Sequence, residues 1–229
     1  MSWHVFNLAE VPYDNALAAQ HRLHTLVCSG HIDGAIIMLT HPPTITLGRH
    51  ANPAHILDRN SLVHQGWHVC NVDRGGDVTW HGPGQIVVYP IVPLQVMGLS
   101  VRTLICTLSN ALRHTLSTFG IASHWEDDSP GVWVDNDKIA AVGLRISRRV
   151  SRHGIALNVC PDLAAYDTIV PCGISTRGVT SMEQVLGKSP PFHSVRDVLL
   201  SNLIEAFDCK SHRKWNSLYE GVTWLEHNA

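Results

Sequence analysis

A chain of 229 residues, 45% of them hydrophobic, holds enough apolar material for one sizeable core, so one catalytic-size domain over residues 1–229 is the economical expectation. Its formal net charge of −2 excludes a general nucleic-acid binder, which needs a strongly basic face. No apolar run reaches the roughly 18 residues of a membrane span, and Met1–Glu10 lacks the basic start and apolar stretch of a secretory signal, so a cytoplasmic protein without membrane association is expected.

In chain order, "WHVFNL" (3–8) predicts an opening strand, and Pro12 leads into a helix from about Tyr13 to a stop at Gly30. "GAIIMLT" (34–40) is a buried strand by its apolar run, and "HPPTITLGRH" (41–50) breaks helix at its prolines and continues extended. "WHVCNVD" (67–73) and "QIVVYPIV" (85–92) predict strands on either side of a glycine-rich loop, "RGGDVTWHGPGQ" (74–85). Ser100 caps the best-marked helix, with Leu104, Leu108, Leu112 and Leu116 at every fourth position and a close at Gly120. "GVWVDNDKIAAVGLRISRR" (131–149) predicts a hairpin turning at Asp135-Asn136-Asp137, its second strand starting near Lys138, and "HGIALNV" (153–159) a further strand. A later helix is expected from a Ser194 cap with Asp197 three residues on. The tail from Lys210 carries no assignable pattern. Irregular alternation of strands and helices with a local hairpin favours an α+β fold, a mixed sheet covered by helices.

The six cysteines are scattered and 16 histidines are present, but no C-x-x-C or H-E-x-x-H occurs. The H-x-C at His68–Cys70 is an isolated match, so no metal site is expected. The glycine-rich loop fits neither a P-loop nor a dinucleotide fingerprint. Its glycines permit close backbone approach, and an elongated substrate lying against this strip competes with an ordinary tight loop in which Trp80 is buried and Arg74 and Asp77 are solvated. Cys172, in "IVPCGIS", sits where a nucleophile at a strand-to-loop bend would sit. Lys138 begins an apolar strand whose core would partly desolvate its amine, and a neighbouring ammonium lowers a thiol's pKa. A buried structural cysteine and a solvated lysine are the alternatives for each residue taken alone.

Several motifs together then resemble one family. "RGGDVTWHGPGQIVVYPI", "KIAAVGLRISRRVSRHGIALNV", "IVPCGI" with "VTSM", and "HPPTITLGR" occur in order from about Gly34 to Met182 and are similar to the lipoyl(octanoyl) transferases, or lipoate-protein ligase B family. Trp80 stands where Phe or Tyr is usual, and Thr40 where Glu is frequent. The resemblance implies the fold of biotin and lipoate protein ligases. It implies an octanoyltransferase that moves the octanoyl group of octanoyl-acyl carrier protein to a specific lysine of lipoyl domains, those of 2-oxoacid dehydrogenase complexes and the glycine cleavage H protein, with no cofactor.

By the same resemblance Cys172 is the acyl-thioester nucleophile and Lys138 lowers its pKa. The substrate-binding segments are Arg74, Gly75, Gly76, Asp77, Val78, Thr79, Trp80 and His81; Ala141, Val142 and Gly143; and Gly154, Ile155 and Ala156. The bare backbone at 74–85 would then wall an acyl tunnel. A thioester donor and an amide product make the transfer downhill without ATP. His81, Tyr89 and His153 are secondary candidates for positioning the acyl carbonyl, with a structural hydrogen-bonding role as the alternative. Arg145, Arg148, Arg149 and Arg152, which strand alternation would split between faces, are candidates for steering acidic protein partners or for guarding a sheet edge. The competing activity is an ATP-dependent lipoate or biotin ligase on the same fold, needing no cysteine at 172. An inert lipoyl-domain-binding module is the third reading.

Overall fold

The structure, a computed structural model, describes residues 3–170, 177–209 and 211–228. Its frame is an eight-stranded mixed sheet in the order β11-β1-β2-β6-β10-β9-β8-β7, made of β1 (Trp3–Glu10), β2 (Gly34–Thr40), β6 (Gln85–Ile91), β7 (His124–Glu126), β8 (Gly131–Val134), β9 (Asp137–Ser147), β10 (Val150–Asn158) and β11 (His212–Trp215). β1 runs parallel to β2 and β11; the other neighbours are antiparallel. A second, three-stranded sheet in the order β4-β3-β5 is built from β3 (Thr44–Leu47), β4 (His68–Asn71) and β5 (Val78–His81).

Helices cover both faces of the large sheet, which explains why its central strands read as unbroken apolar runs. On β2, Ile36 and Met38 pack with α3 (Val101–Thr118) and α5 (Phe192–Ala206), while Ile37 and Leu39 pack with α1 (Tyr13–Cys28) and α6 (Leu218–Asn228). The period-2 alternation of strand side chains divides one apolar sequence between two cores. Helix α3 follows its leucine spacing: Leu104, Leu108, Leu112 and Leu116 are all fully buried. The Ser100 hydroxyl accepts from the Thr103 amide at 3.1 Å, and Thr103 Oγ1 accepts from the Ser100 amide at 2.8 Å, a reciprocal cap. No helix among the described residues is long and apolar enough to cross a membrane.

Three expectations are corrected. The glycine-rich stretch is not all loop, since Val78–His81 forms β5 and pairs with β3; it leads from the small sheet into the large one. Helix α5 starts at Phe192 with Pro191 as its N-cap and no side-chain cap. The Pro191 carbonyl already accepts from the Val195 amide at 3.2 Å, so Ser194 lies inside the first turn. The tail does carry structure: β11 docks in parallel on the edge of β1, and α6 buries Val222 and Leu225 in the α1-side core. β11 is the polar tetrapeptide HRKW, ordered by backbone pairing that no side-chain pattern announces.

Gly84, ahead of β6, has φ +82° and sits against the following turn, where a Cβ would lie 2.3 Å from the Cys160 carbonyl oxygen. Its own carbonyl accepts from the amides of Val159 and Cys160, so neither segment can retreat without losing hydrogen bonds. Gly84→Ala is therefore expected to destabilise by at least about 2 kcal/mol, read as a lower urea midpoint at unchanged m-value; an unaltered midpoint would contradict this packing.

Candidate active site

Strand register builds a bare floor. Ala141 opposes Ala156, which opposes Val87, and one step along the same face Gly143 opposes Gly154. With only glycine and alanine at these positions of β9 and β10, the sheet surface there is almost bare of side chains, leaving space for something slender to lie on it. Loop 74–77, Thr79 and His81 of β5, Tyr13 at the start of α1, and Pro130 close over that floor, and the cleft's empty space is about 530 Å³ including its mouth. Alternation on β5 separates the motif. Thr79 and His81 face the cleft, whereas Val78 and Trp80 turn into the small-sheet core with Ile45, Leu47 and Leu62. The substitution of Trp for Phe or Tyr at position 80 thus bears on that core instead of the cleft wall.

Arg74 is buried, not solvated. Its guanidinium donates to Thr46 Oγ1 (3.0 and 2.9 Å), to the Thr46 carbonyl (2.7 Å), and to the carbonyls of Gly75 (3.0 Å) and Asp77 (2.7 Å). It therefore fixes the loop's backbone from within. Gly76 holds φ +89° in this turn, a conformation L-residues rarely adopt, and the Gly75 amide donates to Leu144 O of β9 at 2.9 Å. Asp77 is also engaged, pairing with His55 and accepting from the Asn52 amide at 3.0 Å.

Next to Arg74, Asp73 gathers charge from the large sheet. Arg152 Nη2 donates to it at 2.5 Å, His153 Nε2 at 2.8 Å, and Arg145 Nε lies 3.6 Å away. The four arginines are not split by alternation. Arg145 and Arg152 are direct cross-strand partners, which brings both to Asp73, while Arg148 and Arg149 form the exposed β9–β10 turn at φ 49° and 61°. Burial opposes ionisation of Asp73, yet the hydrogen bonds from His153 and Arg152 outweigh it and hold its carboxyl below the usual value.

The other polar groups at and around the cleft are spent on hydrogen bonds within the protein. His41 Nδ1 donates to the Val11 carbonyl (2.6 Å) and its Nε2 accepts from Tyr89 (2.7 Å). His81 Nδ1 donates to Gln85 Oε1 at 2.7 Å; Gln85 then donates to Asn158 Oδ1 at 3.0 Å, and Asn158 to the Thr180 carbonyl at 3.1 Å. His153, in the left-handed region at φ 54°, accepts weakly from Tyr13 at 3.5 Å. Burial pushes the histidine pKa values down, to about 4 for His41, about 3 for His81 and about 4 for His153, the last despite Asp73 beside it. Burial likewise raises Tyr13 and holds Tyr89 well above its ordinary value.

Lys138, the second residue of β9, is half-buried. Its ammonium donates to the carbonyl of cleft residue Pro130 at 3.3 Å and lies 4.8 Å over the Trp133 ring, which Arg177 covers at 3.5 Å. Cys172 lies outside the described residues. The chain on either side of that stretch is anchored here: the Val170 amide donates to His55 O (2.8 Å), and Lys138 exchanges backbone hydrogen bonds with Gly178 and Thr180, both at 3.0 Å. Tyr13, Val87 and Pro130 line the cleft, and fully buried His41 bonds its Tyr89, without having been singled out in the sequence. Only the proline before Tyr13 marked its surroundings, as a helix start.

The lipoyl protein ligase A/B catalytic domain model matches residues 12–204, and the chain belongs to this family. Octanoyltransferases from Alkaliphilus metalliredigens and Chloroflexus aggregans are each 42% identical to it over 210 residues, covering 91% and 90% of this chain and 96% and 95% of the relatives. Within the family it stands with these octanoyltransferases, which are acyltransferases. Among solved structures, a putative lipoate protein ligase from T. acidophilum with bound lipoic acid superposes at TM-score 0.77 with 14% identity, over 98% of this chain and 94% of that one. Biotin protein ligase from Aquifex aeolicus in complex with biotin and ATP superposes at 0.53 with 14% identity, over 91% and 71%. At such identities these likenesses bear on the fold alone, and they match the ligase-like α+β architecture.

The buried neutral histidines make stability depend on acid. Above about pH 6.5, the ordinary histidine value, neither folded nor unfolded chain protonates them, and their contribution is complete. Between there and about pH 4 the unfolded chain takes up protons that the folded His41, His81 and His153 refuse, so stability falls as pH falls. Buried His4 is likewise held down to about 4, so denaturant melts across that window are expected to show a slope of at least three protons, reduced by about one in His41→Gln; a flat profile would rule out neutral buried imidazoles.

Proposed function

We propose that the cleft holds the octanoyl chain during transfer from the phosphopantetheine thioester of acyl carrier protein to a lipoyl-domain lysine, such as those of 2-oxoacid dehydrogenase complexes or the glycine cleavage H protein, through a thioester on Cys172. The protein works as one catalytic domain, without a cofactor, in the cytoplasm; the free thiols of Cys28, Cys70, Cys106, Cys160 and Cys209 suit that reducing compartment. The observation that carries this reading is the bare floor of Ala141, Gly143, Gly154 and Ala156, leading to Pro130, whose carbonyl holds Lys138. A saturated chain needs a slender neutral slot, and the reacting carbonyl needs charge only at its end.

In the first half-reaction the Cys172 thiolate, favoured by the Lys138 ammonium, attacks the donor's thioester carbonyl. The tetrahedral oxyanion is stabilised by backbone N–H groups. It collapses by breaking the bond to the carrier's sulfur, which leaves as a thiolate and takes up the proton that Lys138 releases. In the second half the acceptor's neutral amine attacks the Cys172 thioester, the C–S bond breaks, and the amine's extra proton passes to Lys138 in its neutral form. No longer facing an anionic sulfur once Cys172 is acylated, Lys138 gives up its own proton more readily.

Mass spectrometry after incubation with octanoyl-acyl carrier protein is expected to show one octanoyl group on Cys172. Cys172→Ser should lower transfer by about a thousandfold or more, and Lys138→Ala should slow both half-reactions by roughly 10²–10⁴. Full activity in Cys172→Ala would end the covalent route, and product from octanoate plus ATP alone would favour the ligase activity. Arg148 and Arg149, exposed at the hairpin tip, steer the acidic partners: reversing both charges is expected to cut the association rate several-fold at low salt and to flatten its salt dependence, and unchanged, still salt-sensitive kinetics would assign them to edge protection instead.

A further inference from the structure

The His68–Cys70 pair lies on β4, away from the groups the transfer uses. Residues two apart on a strand share a face, so His68 and Cys70 point together while Val69 packs against the small-sheet core. Across from them stands Asp14, in the first turn of α1. His68 Nε2 and Asp14 Oδ1 are 3.2 Å apart, and one ligand atom from each of the three residues falls within 4.8 Å of the other two. Zinc bonds of about 2.0–2.3 Å set tetrahedral edges of about 3.3–3.7 Å. The imidazole–carboxylate edge is already near that length. Closing the remainder asks for about 1 Å of side-chain rotation, open to Asp14 and His68, whose side chains are 70% and 42% exposed.

We propose that Asp14, His68 and Cys70 form a zinc site that ties the first turn of α1 to β4, with the fourth tetrahedral position left to water. A thiolate with an imidazole selects zinc over the hard cations that a carboxylate cluster would take. A divalent ion holds the sulfur as thiolate, so binding releases the Cys70 thiol proton to solvent. Asp14 also follows Tyr13, a wall of the cleft, so the metal would hold that wall against the small sheet. The site is independent of the acyl-transfer reading.

The test uses full-length Cys172→Ala, which removes the proposed nucleophile as a competing thiolate. Titration with Co(II) is expected to give a thiolate-to-metal charge-transfer band that one equivalent of Zn(II) displaces, and Zn(II) should raise Tm. In that background Cys70→Ser should abolish the band. Asp14→Asn, an exposed change that leaves packing alone, should weaken Zn(II) binding about tenfold or more. A missing band, a band that survives Cys70→Ser, or undiminished affinity in Asp14→Asn would each overturn the site.

Discussion

The small sheet is fastened to the large one by two adjacent residues, and the cleft is the gap this fastening leaves. Asp73 reaches Arg145, Arg152 and His153 on the β9–β10 hairpin, and Arg74 turns back to bind Thr46 and the carbonyls of its own loop. Arg74 and Arg152 are buried, and a buried charge stripped of its partner costs about 3–5 kcal/mol. That penalty makes the junction close to all-or-none: the loop either sits with its carbonyls on Arg74 or strands a guanidinium. The cleft's geometry is therefore set before any ligand arrives, as preorganisation requires.

The same arrangement explains the mix of residues in the loop. Gly75 and Gly76 face the cleft and let the backbone lie on β9, whereas Gly84 serves the packing of the β6 entry against Cys160. One run of glycines thus carries two unrelated constraints. Between them, the four residues of β5 alternate core, cleft, core, cleft, and only the three-dimensional pairing of β5 with β3 reveals which is which.

That division marks how far the sequence could be read. β2, β6 and α3 were legible because burial on both faces, or on one stripe with a capped start, leaves a pattern in the residues themselves. β5 was hidden because four residues between glycines have no period to display, and β11 and α6 because their order comes from the β1 edge and the α1-side core. Ser194 misled because Pro191 had already begun the helix. At the site, the glycine and alanine segments and His81 were marked by family resemblance, Tyr89 and His153 were secondary candidates, and all of them line the cleft. Val78 and Trp80 were marked with them and face the other way. Tyr13, His41 and Asp73 escaped because their roles arise from meeting partners far along the chain, as does the convergence of Asp14 with His68 and Cys70.

If the cleft holds the acyl chain, as proposed, the placement of charge follows from what such a slot must exclude. A cation aimed along an alkyl chain would gain nothing from it and would hold water there. At this cleft Tyr89 is bonded to buried His41 and His81 to Gln85, the imidazoles being neutral, and Asp73 and Arg74 are consumed by the junction. Lys138 instead stands at the Pro130 end, half-buried, with its ammonium over Trp133. An aromatic face orients a cation, and Gly178 and Thr180 are hydrogen-bonded to the backbone of Lys138. On the proposed function, a neutral slot with the charge at its end would hold an inert chain and present only its carbonyl to chemistry.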